Sequence, residues 1–244
     1  MERCARMLVG GETCLLAGES AFLGGMSQFL QRFKQGELRL GRIEAFSDGV
    51  FAIVVTLLVL ELHVPSLGAH ADSPGEMGRQ LVALLPKFLS WLISFVIVCK
   101  FWLNHHHVLS LASHADYGMV WINSIFLMFQ SFVPFPTGLM GEYPHNPLAV
   151  SLFGVVMALN TVLFIALHDY ILKNLLKPEL AAEQDPNIIA KSFIGVIFYL
   201  FGAGMAWVNP WLSFGLYGIT PLFFITPTSG RKSHAGLLKN LTTD

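Results

Sequence analysis

The sequence predicts an all-α integral membrane protein with six transmembrane helices and both termini in the cytoplasm. Three observations carry that prediction. The 244 residues are 54% hydrophobic and only 13% charged, with a mean hydropathy of +0.59, whereas soluble domains carry about 25% charged residues. The apolar residues gather into runs long enough to cross ~30 Å of hydrocarbon, which takes ~20 residues of helix. Lysine and arginine concentrate in alternate segments between those runs, the bias that sets orientation in a membrane.

The first span covers residues 43–62 and ends at His63, Val64 and Pro65. A polar linker with Gly68, Asp72, Pro74 and Gly75 leads to the second span, residues 81–103. Residues 104–116, opening with Asn104, His105, His106 and His107, read as a short turn region. The third span covers 117–133 and stops against Pro134 and Pro136, since proline ends or kinks a helix. A tight loop over 141–147 precedes the fourth span, 148–167, with a polar tail to Lys177 and Pro178. The fifth span is 188–208, and Asn209-Pro210 turns the chain into a short sixth span, 211–225.

Arg32, Lys34, Arg39 and Arg42 precede the first span. Lys173, Lys177 and Lys191 lie between the fourth and fifth, and Arg231, Lys232 and Lys239 follow the sixth. The intervening segments carry Arg79 and little else. The turn after the second span offers only Lys100 and histidines. Residues 1–38 read as a cytoplasmic extension, or in part as sequence upstream of a start at Met26. A secretory leader would not be broken by Gly10, Gly11, Glu12 and Glu19. Residues 39–226 form the membrane domain and 227–244 a cytoplasmic tail.

A net charge of −1 gives no case for nucleic acid as a partner. Cys4, Cys14 and Cys99 make neither a disulfide framework nor a zinc ligand set. No cofactor is expected.

The start of the first span carries the chemistry: Arg42-Ile43-Glu44-Ala45-Phe46-Ser47-Asp48-Gly49. Charged residues at the mouth of an apolar helix need partners and usually face the protein interior. At 100° per residue, Arg42, Phe46, Gly49, Ile53, Thr56 or Leu57, and Leu60 share one stripe, while Ser47 and Asp48 point toward neighbouring helices. Read from these residues alone, the stripe is either a helix-packing seam or a pore lining. Thr56 either bonds its own backbone or faces a permeating ion.

The run R-x-x-x-F-S-D followed by G-V-F-A-I-V-V-T-L-L-V-L-E-L resembles the first helix of the bacterial homologues of transmembrane protein 175, the lysosomal potassium channel family. Phe101-Trp102-Leu103-Asn104-His105-His106 resembles the end of that family's second helix. Phe132-Val133-Pro134-Phe135-Pro136-Thr137, running to Gly141-Glu142-Tyr143, resembles the end of its third. The likeness covers residues 40–226 in order and spacing. It implies a homotetramer with the first helix of each subunit lining one central pore. It further implies a potassium-preferring cation channel that also admits sodium or other monovalent cations, set in the cell membrane among lipid. Carried over, Ile53 forms the apolar constriction, Thr56 supplies the hydroxyl that contacts the ion, and Leu57 and Leu60 add a further apolar layer. Arg42, Phe46, Ser47 and Asp48 fold the helix against its neighbours. In agreement, no T-V-G-Y-G-like loop occurs, so the usual ring of filter carbonyls is not available.

His105, His106, His107 and His114 invite a metal hypothesis, but adjacent histidines on a helix point in different directions and no H-E-x-x-H accompanies them. No metal is expected. Trp102, Asn104, His105 and His106 are instead expected as hydrogen-bond partners of the first-helix polar cluster, with pH sensitivity through a histidine. Glu61 and His63 at the outer mouth either concentrate cations or simply solvate a helix end. The rival class is a secondary transporter, which would show repeats and charged midplane residues. The later spans carry only uncharged polar groups such as Asn123, Gln130, Asn160 and Thr161. A membrane-embedded hydrolase lacks any Ser-His-Asp or G-x-S-x-G arrangement. The chain is not expected to be an enzyme.

Overall fold

The computed structural model describes residues 39–65, 73–184 and 187–223, and every regular element among them is helical. The expected N-terminal extension and C-terminal tail lie outside the described residues. Helix α1, Leu40–Leu57, tightens into a 3-10 turn over Leu58–Glu61. It is followed by α2 (Pro74–Ala83), α3 (Leu85–Ser110), α4 (Tyr117–Ser131) and α5 (Pro134–Glu142). Then come α6 (Pro147–Asn174), α7 (Ile188–Met205) and α8 (Pro210–Phe223).

Among the described residues, five helical segments are long and apolar enough to cross a bilayer: Leu40–Glu61, Leu85–Ser110, Tyr117–Glu142, Pro147–Asn174 and Ile188–Met205. Helix α8 has 14 residues, short of the ~20 a span needs. The two residues that completed the expected sixth span lie outside the described range.

Three boundaries differ from the sequence reading, each for a local reason. The polar linker after the first span contains α2. Ser73 caps it by accepting from the Glu76 backbone N–H at 3.4 Å, and Pro74 occupies the first turn, where its missing N–H costs nothing. The second span does not stop near Leu103. Helix α3 runs on to Ser110, because no glycine or proline interrupts 104–110, so Asn104, His105, His106 and His107 sit on helix and not in a turn. The third span does not end at Pro134 either. After Phe132 and Val133 the chain re-enters helix, with Pro134 in the first turn of α5 and the Thr137 hydroxyl donating to Val133 O at 2.8 Å.

Side-chain caps fix other starts. Asp116 Oδ1 accepts from Met119 N at 2.8 Å at the head of α4, and Asn146 Oδ1 accepts from Leu148 N at 2.9 Å at the head of α6. Helix α6 is the central member, packed on α4, α5, α7 and α8. Phe101, Phe126 and Phe164 from α3, α4 and α6 meet at ring-centroid distances of 5.9–6.1 Å and fill the middle of the bundle.

The two ends of the bundle are tied differently. The turn after α3 pairs with the end of α6: Ser113 N donates to Leu175 O at 2.8 Å, and Lys177 N donates to Leu111 O at 3.0 Å. The Lys177 ammonium also donates to Ser110 O at 2.8 Å. The charge-poor turn after the second span therefore shares an end with Lys173 and Lys177. At the opposite end Lys87 pairs with Glu142, and the Glu61 carboxylate lies against Gly138 of α5.

Candidate functional site

Helix α1 has two faces of different character. Ile43, Ser47, Phe51, Val54 and Leu58 recur at three- and four-residue spacing and are buried against α3 and α4. The opposite stripe is open. Phe46 is 63% exposed, Ile53 59%, Leu57 41% and Leu60 65%, and a Cβ placed on Gly49 would meet nothing within 4 Å. Thr56 shares that open face. Its hydroxyl lies 3.0 Å from Ala52 O and 2.9 Å from Ile53 O and donates to the helix backbone, which leaves its oxygen lone pairs free.

The buried face carries a polar clasp. Ser47, wholly buried, accepts from Asn123 Nδ2 at 3.0 Å, and Asn123 Oδ1 accepts from His105 Nε2–H at 2.7 Å. His105 is clamped between rings, 5.5 Å from Phe51 and stacked on Phe126 at 5.7 Å. In that bond Nε2 carries the hydrogen, because the amide oxygen can only accept. A second tie runs along the edge of the same interface: Trp102 Nε1 donates to Asp48 Oδ1 at 2.8 Å, and the Trp102 ring stacks on His106 at 6.4 Å.

The sequence-predicted residues therefore separate into two sets. Ser47, Asp48, Trp102, His105 and His106 come together. Asn104 is half-buried and makes no hydrogen bond to Ser47, Asp48 or Asn123. Arg42 and Phe46 lie on the open face, not against the neighbouring helices of the same chain. Adjacent His105 and His106 take different partners, and among the described residues no group of three metal-ligating side chains comes together.

The residue that sequence reasoning left without a role is Asn123. It joins α1, α3 and α4 through both ends of one amide. Its signal was present in the chain: it shares a three- and four-residue spacing with Met119, Phe126, Leu127 and Gln130, the buried face of α4.

Long apolar helices, a polar clasp that fixes one of them, and an exposed stripe on that same helix define a helical protein of the membrane-spanning class. Residues 42–134, from the exposed Arg42 of α1 to the first residue of α5, match the family model described as the endosomal/lysosomal potassium channel TMEM175. A potassium channel of Chamaesiphon minutus is 35% identical over 190 residues, covering 75% of this chain and 92% of that one. A potassium channel of Streptomyces collinus is 32% identical over 190 residues, covering 75% and 90%. The crystal structure of a lysosomal potassium-selective channel TMEM175 homolog from Chamaesiphon minutus superposes with a TM-score of 0.66 at 33% identity, covering 78% of this chain and 97% of that one. The chain belongs to the TMEM175 family, whose members are ion channels and not enzymes.

Proposed function

We propose that this protein is a potassium-preferring cation channel of modest selectivity, working in the cell membrane as a homotetramer of six-span subunits, with four copies of α1 around one central pore. The observation that carries this reading is the two-faced α1. One face is sewn into the protomer through Ser47, Asn123 and His105, and the other presents Gly49, Ile53, Thr56, Leu57 and Leu60 unpartnered. Relatives from Chamaesiphon minutus and Streptomyces collinus that carry potassium-channel names support the choice of ion.

In this arrangement four Ile53 side chains narrow the pore, and an apolar ring of that kind gates by excluding water. Thr56 stands one turn further along. Because its proton is committed to the helix backbone, its oxygen turns lone pairs to the lumen and replaces part of a cation's hydration shell. Four hydroxyls give a weak field, so discrimination of potassium from sodium is modest. Leu57 and Leu60 extend the apolar lining. Asp48 is held by Trp102 at the edge of the clasp and does not coordinate the ion. The shared end of the α3–α4 turn and Lys177 supports a cytoplasmic placement for that end and hence for both termini.

The deciding experiment is potassium flux into liposomes holding purified protein, run beside Ile53→Asn and Thr56→Ala. Flux that rises with Ile53→Asn, and a potassium-to-sodium ratio that shifts with Thr56→Ala, support an α1-lined pore. Flux indifferent to both substitutions moves the pathway to other helices.

A further inference from the structure

Gln130 on α4 and Asn160 on α6 are wholly buried, each near the middle of a helical segment long and apolar enough to cross a bilayer. Neither the Oε1 nor the Nε2 of Gln130, nor the Oδ1 of Asn160, meets a hydrogen-bond partner among the described residues. The two side chains stand at one level of an antiparallel helix pair. Asn160 Nδ2 reaches Phe129 O, next to Gln130, at 3.4 Å. One turn away on each helix, Phe126 and Phe164 meet at 5.9 Å.

Side chains alone do not resolve this set. It comprises one amide donor group and two acceptors. Turning the Gln130 amide to donate to Asn160 Oδ1 joins two of the three atoms and strands Gln130 Oε1. The neighbouring donors are spent. Asn160 Nδ2 donates to Val156 O at 3.0 Å and to Phe129 O, and the Thr161 hydroxyl donates to Met157 O at 2.8 Å. Buried polar atoms in native proteins are almost always satisfied, by ordered water where protein groups fall short. The requirement is strictest in a membrane, where lipid offers no substitute.

We propose that each protomer holds ordered water between α4 and α6, bound by Gln130 and Asn160. One water donates one hydrogen to Gln130 Oε1 and its other hydrogen to Asn160 Oδ1, and Gln130 Nε2 donates to a second water. The Phe101, Phe126 and Phe164 rings separate this site from the Ser47–Asn123–His105 clasp. The site lies inside the protomer, apart from the open stripe of α1, and stands whether or not that stripe lines the pore.

Two measurements on the purified full-length chain test it. Density at a resolution that shows ordered water is expected to place water within hydrogen-bond distance of both side chains. Two amides paired directly with each other or with backbone, with no water between, would overturn the proposal. X-ray hydroxyl-radical footprinting gives an independent reading, because bound water is the local radical source. Met157 is wholly buried and one turn from Asn160. Its oxidation is expected in the wild-type protein and is expected to fall several-fold in Gln130→Leu/Asn160→Leu. Wild-type Met157 that resists oxidation, or equal oxidation in both proteins, counts against bound water. If the double variant does not fold, the wild-type density decides.

Discussion

Asn123 Nδ2 donates to Ser47 Oγ at 3.0 Å, joining α4 to α1 across 76 positions of sequence. The same amide takes the His105 proton through its oxygen, so one side chain holds three helices in register. Asn123→Leu preserves volume but strands the buried His105 N–H. A buried group left without its partner costs about 1–3 kcal/mol, and thermal unfolding of the purified protein is expected to show a loss in that range. Ser47→Ala strands only one amide hydrogen and is expected to cost less. A leucine variant as stable as the wild type would remove this network from what holds α1.

The Trp102–Asp48 bond sits at a wetter position, with Trp102 42% exposed. Trp102→Phe deletes the donor but keeps a ring to stack on His106, so the expected loss is about 0.5–1.5 kcal/mol. Asp48→Asn keeps an acceptor oxygen and is expected to lose less than Trp102→Phe. The reverse order in paired unfolding measurements would show that the carboxylate charge, and not the indole bond, is what matters there.

Much of this arrangement was legible in the chain, and the rest was hidden for identifiable reasons. Run length and charge placement located the five long spans, because a bilayer demands a minimum apolar length that few other folds reach. The face carrying Ile53, Thr56 and Leu60 followed from helical periodicity alone. The histidine segment was misplaced because polarity suggested a turn, whereas the helix continues and turns His105 inward onto Asn123. Pro134 suggested a stop, but proline in a first turn also starts a helix, and only the renewed helix distinguishes the two. Asn123 stood out as polar in an apolar run. Its role needed Ser47 and His105 to be brought together by packing, which no local pattern encodes.

Thr56 gives the sharpest functional prediction. Thr56→Val keeps shape and β-branching but removes the oxygen, whereas Thr56→Ser keeps the oxygen and loses a methyl group. If the hydroxyl meets the ion, the potassium-to-sodium permeability ratio from reversal potentials is expected to change about threefold in the valine variant, equivalent to ~0.6 kcal/mol. The serine variant is expected to stay near wild type. A strong discrimination that survives in valine would place selectivity elsewhere on the pathway.

Glycines on the last three helices separate by what faces them. At Gly154 of α6 a methyl group would run into the Tyr217 hydroxyl and lie 2.8 Å from Tyr199 O, and at Gly202 of α7 it would strike the Tyr217 ring. Tyr217 cannot easily retreat, since it is wholly buried and its hydroxyl donates to Val150 O at 3.1 Å. Gly204 and Gly215 have nothing within 4 Å of where a Cβ would stand. Gly154→Ala and Gly202→Ala are therefore expected to destabilise the protein by about 1–3 kcal/mol through overpacking. Gly204→Ala is expected to be neutral, or to stabilise by up to about 1 kcal/mol through helix propensity. Unfolding midpoints of the three variants check the order, and a marked loss at Gly204 would identify its face as a contact between subunits.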